Sequence, residues 1–139
     1  MNFHTLLQYK VASLRKQMLL QLKPSLEKAS ITYAELVTLM HVVEHPGTTQ
    51  AQMADHMYRD RNAIGNLVDK LEKQGLLERR KEEQDRRSYH LFITEQGTHF
   101  LKPFKKEMAH IQRKTLQELS AGEQEQFLHL LNKLTKEFI

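Results

Sequence analysis

The chain has 139 residues, a formal net charge of +4, 27% charged side chains and no cysteine. That length fits one domain at roughly 100–200 residues each; with a mean hydropathy of −0.61 and no apolar run near the ~20 residues of a membrane helix, a spanning segment is excluded. The missing thiols exclude a disulfide scaffold, a thiolate nucleophile, a cysteine-ligated zinc and a thiol redox switch.

The opening Met1-Asn2-Phe3-His4-Thr5 lacks the basic-then-apolar pattern of a signal peptide, so a cytoplasmic protein with no membrane partner is the plain expectation. Residues 3–22 carry Leu7, Val11, Leu14 and Met18 at helical spacing, and Pro24 is expected to kink or stop that helix. Thr32-x-x-Glu35, Thr49-x-x-Gln52 and Ser120-x-x-Glu123 each match a capping box, in which two side chains satisfy backbone donors of a first helical turn. Thr94 is a simpler N-cap. Helices are therefore predicted at about 32–45, 49–57, 94–118 and 120–137, with His45-Pro46-Gly47 ending the first of them. A further helix covers about 60–74, with Ile64, Leu67, Val68 and Leu71 on one face, Asp60 as its cap and Gly75 as a left-handed end. The period then changes. Residues 76–80 and 88–93 read as short strands around the charged run Lys81 to Arg87, a hairpin with a long tip. A short helix, a tight turn, a second amphipathic helix and a hairpin make a winged helix-turn-helix. The expected fold is mainly α with a small β-hairpin.

The face of the 60–74 helix opposite its apolar stripe carries Asn62, Asn66, Asp69 and Lys73. Asparagine offers a donor and an acceptor side by side, matching the major-groove edge of adenine, and Arg61 at the same end suits guanine or phosphate. In a helix-turn-helix the start of the second helix meets the bases. Gly65, inside that helix, costs about 1 kcal/mol relative to alanine. Close approach to DNA and a packing accommodation explain it equally well. At the hairpin tip, Arg86 and Arg87 suit the minor groove, whose negative potential attracts arginine; mixed charge alone would read as a solvated loop.

Three runs then carry a likeness: Thr32-Tyr33-Ala34-Glu35-Leu36, Thr49-Gln50-Ala51-Gln52-Met53-Ala54, and Asn66-Leu67-Val68-Asp69-Lys70-Leu71-Glu72-Lys73-Gln74-Gly75-Leu76-Leu77. With the wing Asp85-Arg86-Arg87-Ser88 and the following Leu91-Phe92-Ile93-Thr94-Glu95-Gln96-Gly97, the segment Ile31–Leu101 resembles the winged-helix core of the MarR family of bacterial transcription regulators. The resemblance implies a single domain over 1–139. Within it, 32–94 would form the DNA-binding lobe, with the helix-turn-helix at about 49–74 and the wing at about 76–94. Residues 1–31 and 95–139 would form a helical dimerisation region. It implies a homodimer that binds double-stranded DNA at a pseudo-palindromic operator, as a repressor responsive to a small aromatic or other effector that no residue here identifies. DNA-contacting positions would be Thr49, Gln50, Arg61, Asn62, Gly65, Asn66, Lys73, Asp85, Arg86 and Arg87. Dimer contacts would come from Leu7, Val11, Leu14, Phe127, Leu131, Leu134 and Phe138. Many members carry Ser or Thr where this chain has Asn62 and Gly65, and the oxidation-sensing branch relies on a cysteine that this chain lacks.

His41-Val42-Val43-Glu44-His45 matches the H-x-x-E-H pattern of zinc peptidases. His45 precedes Pro46 at a helix end, where an imidazole commonly meets the last carbonyls, and most of the eight histidines read as surface or helix-end residues. No metal site, cofactor or catalytic residue is therefore expected. No Ser-His-Asp order, glycine-rich phosphate loop or carboxylate pair supports an enzyme. Two other readings stay open: a zinc-responsive regulator of the same fold, and a winged-helix interaction module without specific DNA binding.

Overall fold

The computed structural model describes residues 2–135. After a 3-10 turn at Phe3–Thr5 come α1 (Leu7–Lys28), α2 (Tyr33–Glu44), β1 (Thr48–Thr49), α3 (Gln50–Met57), α4 (Arg61–Lys73), β2 (Leu77–Glu82), β3 (Asp85–Ile93), α5 (Glu95–Thr115) and α6 (Ala121–Thr135). The three strands form one antiparallel sheet in the order β1-β3-β2. The chain is thus mainly helical with a small sheet, in the winged helix-turn-helix arrangement. Among the described residues no helix is long and apolar enough to cross a membrane.

The predicted caps start the helices. The Thr32 and Thr49 hydroxyls accept from the N–H groups of Glu35 and Gln52, whose side chains accept from the cap backbones in return. Ser120 and Glu123 do the same for α6. Thr94 accepts from the Gly97 N–H at 3.0 Å and donates to the Gly75 carbonyl at 2.6 Å, so one hydroxyl joins the end of α4 to the start of α5. Gly75 takes the expected left-handed conformation, φ +75°.

Three expectations need correction. Pro24 does not stop α1, which runs on to Lys28. Pro24 itself faces solvent, while Leu22 and Leu26 around it are buried and Ser25 donates to Glu107 of α5 at 2.7 Å. Tertiary burial here outweighs one missing backbone bond. The long charged tip is also not a loop. β2 and β3 run through it, and only Glu83-Gln84 remain as the turn. Side chains polar on both faces look like a loop, yet in a ribbon whose two faces both meet water polarity carries no strand signal. Finally, β1 was not anticipated: Thr48 and Thr49 pair with Leu91 and His90, a two-residue strand too short to show a period.

The core lies under the helix-turn-helix. Leu36, Leu39 and Val42 of α2, Met53 of α3, and Ile64, Val68 and Leu71 of α4 are fully buried, together with Leu77, Leu91 and Leu101. This fixes which side of α4 remains outward. The start of α5 packs so closely that a Cβ on Gly97 would lie 2.1 Å from the Leu76 carbonyl oxygen. Only glycine permits that approach.

A polar contact fastens α4 to α2 beside this core. Lys70 Nζ donates to Glu35 Oε1 at 2.9 Å, and the Glu35 side chain is only 3% exposed. Burial pushes the Glu35 carboxyl up, but the hydrogen bonds from Lys70 and Thr32 outweigh it, and its pKa falls below the ordinary 4.5. A carboxyl depressed on folding contributes stability in full above its unfolded pKa, and that stability is lost as pH falls through the folded value. Glu35→Gln should therefore be least stable relative to the native chain at neutral pH, and the gap should narrow below pH 4.5. Urea unfolding across that range checks this; a gap that stays constant with pH would rule the contribution out.

Candidate nucleic-acid interface

α3 ends at Tyr58, which adopts a left-handed backbone (φ 52°). Two residues later, Asp60 caps α4, its Oδ1 accepting from the Ala63 N–H at 2.7 Å. This tight connection sets α4 across α3 as the second helix of the motif. With Ile64, Val68 and Leu71 turned inward, Arg61, Asn62, Asn66 and Lys73 are all exposed on the outer side. Asn62, Asn66 and Lys73 thus share one outward face of α4, and Arg61 stands exposed beside it in the first turn.

The remaining helix-turn-helix positions have structural partners. The Thr49 hydroxyl is occupied as the α3 cap. Gln50 Oε1 accepts from Arg79 Nε and Nη2, both at 3.0 Å. Gly65 is half-buried and faces α3: a Cβ there would come 3.3 Å from Gln50 Nε2. Of its two readings, packing between the motif's helices is the one with a visible contact.

Sequence reasoning missed Arg79. Its side chain is 18% exposed; Nη2 donates to Asp69 Oδ1 at 2.6 Å and Nη1 to Glu72 Oε1 at 2.7 Å, while its backbone N–H meets Glu72 Oε2 at 3.1 Å. One guanidinium from β2 thus joins α3 and α4. Burial opposes its charge, but the bonds to Asp69 and Glu72 prevail and hold its pKa above the ordinary value. No local signal could have revealed this contact, because Gln50 is 29 positions away in sequence.

The wing is shaped by a bulge. Lys81 pairs with Tyr89 but the adjacent Glu82 pairs with Asp85, so Arg86, Arg87 and Ser88 are extra residues on β3. Bulges bend a strand and re-aim its side chains. Here Arg86 and Arg87 are exposed, and the Arg87 side chain is 93% so. Asp85 shapes the bulge: its Oδ1 accepts from the Arg87 N–H at 3.2 Å and Nε at 3.4 Å. Lys81 Nζ donates to the Arg86 carbonyl at 2.7 Å. His90 spans the bulge base, with Nδ1 2.9 Å from the Gly47 carbonyl and Nε2 3.3 Å from the Asp85 carbonyl. The Gly47 carbonyl foremost raises the His90 pKa above 6.5; burial opposes it, but the Asp85 carbonyl and the charges of Asp85 and Glu82 add to the rise, and the Arg87 N–H lowers the pKa of Asp85.

A family model, the MarR family, matches residues 31–89. The transcriptional regulator BilQ of Clostridium symbiosum is 30% identical over 131 residues, covering 92% of this chain and 89% of that protein. The chain belongs to the MarR family. It is also 34% identical to the organic hydroperoxide resistance transcriptional regulator of Bacillus subtilis over 82 residues, 59% of this chain and 56% of that one, so the match spans little more than half of that relative. Its fold matches that of MepR of S. aureus in complex with DNA, with a TM-score of 0.80 at 23% identity over 99% of this chain and all of the other. This MarR-family chain is a transcriptional regulator with a DNA-binding winged helix.

The other lobe is different in character. α6 buries no residue within the chain. Leu7 is 71% and Leu134 69% exposed, and Val11 is exposed as well. An apolar groove of about 660 Å³ runs among α1, α5 and α6, where Leu7, Val11, Leu14, Phe127 and Leu131 meet. Phe138 lies outside the described residues. Between the lobes is a second cavity, about 790 Å³, with Arg15, Tyr33, Met40, Met57 and Met108 in its wall.

Replacing Arg79 with Met should cost about 1.5–3 kcal/mol, as for hydrogen bonds to charged groups, and should loosen the wing against α4. Chemical denaturation measures the first and amide exchange on β2 the second; native stability in the variant would rule out the clamp.

Proposed function

We propose that the chain works as a homodimeric, ligand-responsive repressor that reads a pseudo-palindromic operator with α4 and grips the flanking backbone with its wing. The observation that carries this reading is the pairing of two exposed surfaces. One is the Asn62, Asn66 and Lys73 face of α4, with Arg61 exposed at its start; the other is the bulge that turns Arg86 and Arg87 outward. Asn62 and Asn66 stand one turn apart, as two base contacts along a major groove require. Asp85 acts here by orienting Arg87 rather than by meeting DNA, whose phosphates would repel it. Thr49 and Gln50 contribute through the motif's packing, with the hydroxyl proton of Thr49 and the amide of Gln50 left to meet phosphate.

The division of labour follows the exposure pattern. Residues 32–94 form the DNA-binding lobe, and 1–31 with 95–139 form the dimer region. The apolar groove of α1, α5 and α6 receives the same helices of a second copy, since a two-fold dimer buries one self-complementary patch. Such a dimer suits half-sites about 10 bp apart. The cavity between lobes is the effector site: its volume of about 790 Å³ fits a drug-sized ligand. Arg15, 5.6 Å from the Tyr33 ring centroid, offers a cation beside an aromatic wall, which suits an aromatic acid.

Operator variants titrated with Asn66→Ala should show discrimination reduced by about 1–3 kcal/mol at one base pair. In the same assay, Arg87→Ala should weaken all sequences alike and flatten the salt dependence by about one unit of slope. Unchanged discrimination together with an unchanged slope would refute both contacts. For the dimer, Val11→Asp should sediment as a folded monomer and lose tight operator binding; a variant that remains dimeric in the ultracentrifuge would exclude the α1 groove as the interface.

A further inference from the structure

The H-x-x-E-H run turns out to have a spatial partner. His41 and His45, one turn apart on α2, meet His56 near the end of α3. Their ring centroids are 4.4, 5.5 and 5.8 Å apart. Both stand at the end of α2, as the helix-end reading expects, yet the Nε2 atoms of His41 and His45 are buried without a hydrogen-bond partner. A buried polar atom left unpaired costs roughly 1–3 kcal/mol, so two side by side need a reason. Beside them opens a small cavity of about 340 Å³, with Thr48 and Gln52 opposite the imidazoles.

We propose that His41, His45 and His56 form a binding site for a divalent transition metal ion of the zinc class. Three imidazoles that hold one zinc through nitrogens at about 2.0–2.1 Å in a tetrahedral arrangement have ring centres about 5 Å apart, and the observed spacings bracket that value. Imidazole is the ligand that zinc, copper and nickel share. Three protein nitrogens leave a fourth position open to water from the cavity, on the side of Thr48 and Gln52. Among the described residues no group of three His, Cys, Asp or Glu already stands ready for a metal, so the rings must turn about their side-chain bonds to converge. His56 is exposed and free to do so. Metal binding requires unprotonated nitrogen. A metal there would tie the end of α2 to the first helix of the DNA-binding motif, in the wall that also borders the effector cavity.

The test is made on the full chain without DNA, so its outcome is separate from that of the DNA-binding reading. Apo-protein is titrated with zinc alone by calorimetry and by competition with a zinc-binding dye. One zinc per chain is expected. His45→Ala and His56→Ala should each weaken binding by more than tenfold, while His110→Ala, an exposed histidine on α5, leaves it unchanged. His56→Ala removes an exposed side chain and keeps the fold, which circular dichroism verifies. Absence of saturable binding, or binding of equal strength in the His45 and His56 variants, would overturn the site.

Discussion

Arg79 sets the geometry on which the rest depends. A winged helix reads DNA only if its second helix and its hairpin keep a fixed angle, because one enters a groove while the other grips the adjoining strand. The guanidinium of β2 bonds Gln50 at the start of α3 and Asp69 and Glu72 along α4, so the wing root and both motif helices share one cation. Its planar fork offers five donors in fixed directions, which a lysine could not match. Side chains that outwardly look available for DNA, Gln50 and Asp69, are drawn into this clamp. The exposed face of α4 then narrows to Asn62, Asn66 and Lys73, with Arg61 beside it in the first turn.

Two smaller devices act alongside it. Lys70 and Glu35 hold α4 to α2. Asp85 and His90 hold the wing's bulge: the carboxylate gathers Arg87, and the imidazole ties the bulge to the Gly47 carbonyl before β1. Because three extra residues on β3 form that bulge, two arginines are aimed outward by backbone geometry rather than by chance of a flexible tip. The short strand β1 has the same purpose, linking the entry to α3 with β3.

The fold also shows an economy of apolar surface. One core joins Leu36, Leu71 and Leu91 of the winged helix to Leu22 and Leu26 of α1 and to Leu101, Phe104 and Ile111 of α5, whereas no described residue of α6 is buried. Helices with this much uncovered leucine are stabilised by packing on something else. A second copy would supply that packing, and it would join the two DNA-binding lobes through the same helices that wall the cavity between them.

The sequence by itself determined every helix with a chemical cap. Thr32, Thr49, Asp60, Thr94 and Ser120 sit where local hydrogen bonds to the first turn decide the start, and the apolar stripe of Ile64, Val68 and Leu71 fixed which side of α4 turns outward. These are contacts within three or four residues, so they are written in the order of the chain. Tertiary structure alone decided the course of α1 through Pro24, the strands beneath the charged tip, the Arg79 clamp and the meeting of His56 with His41 and His45. Three of these depend on partners far apart in sequence: Leu22 and Leu26 reach the core, Gln50 reaches Arg79, α3 reaches α2; the strands of the tip pair with near neighbours and are hidden only by polarity on both faces. No periodicity encodes such pairs, because which distant side chains meet is settled only when the helices pack.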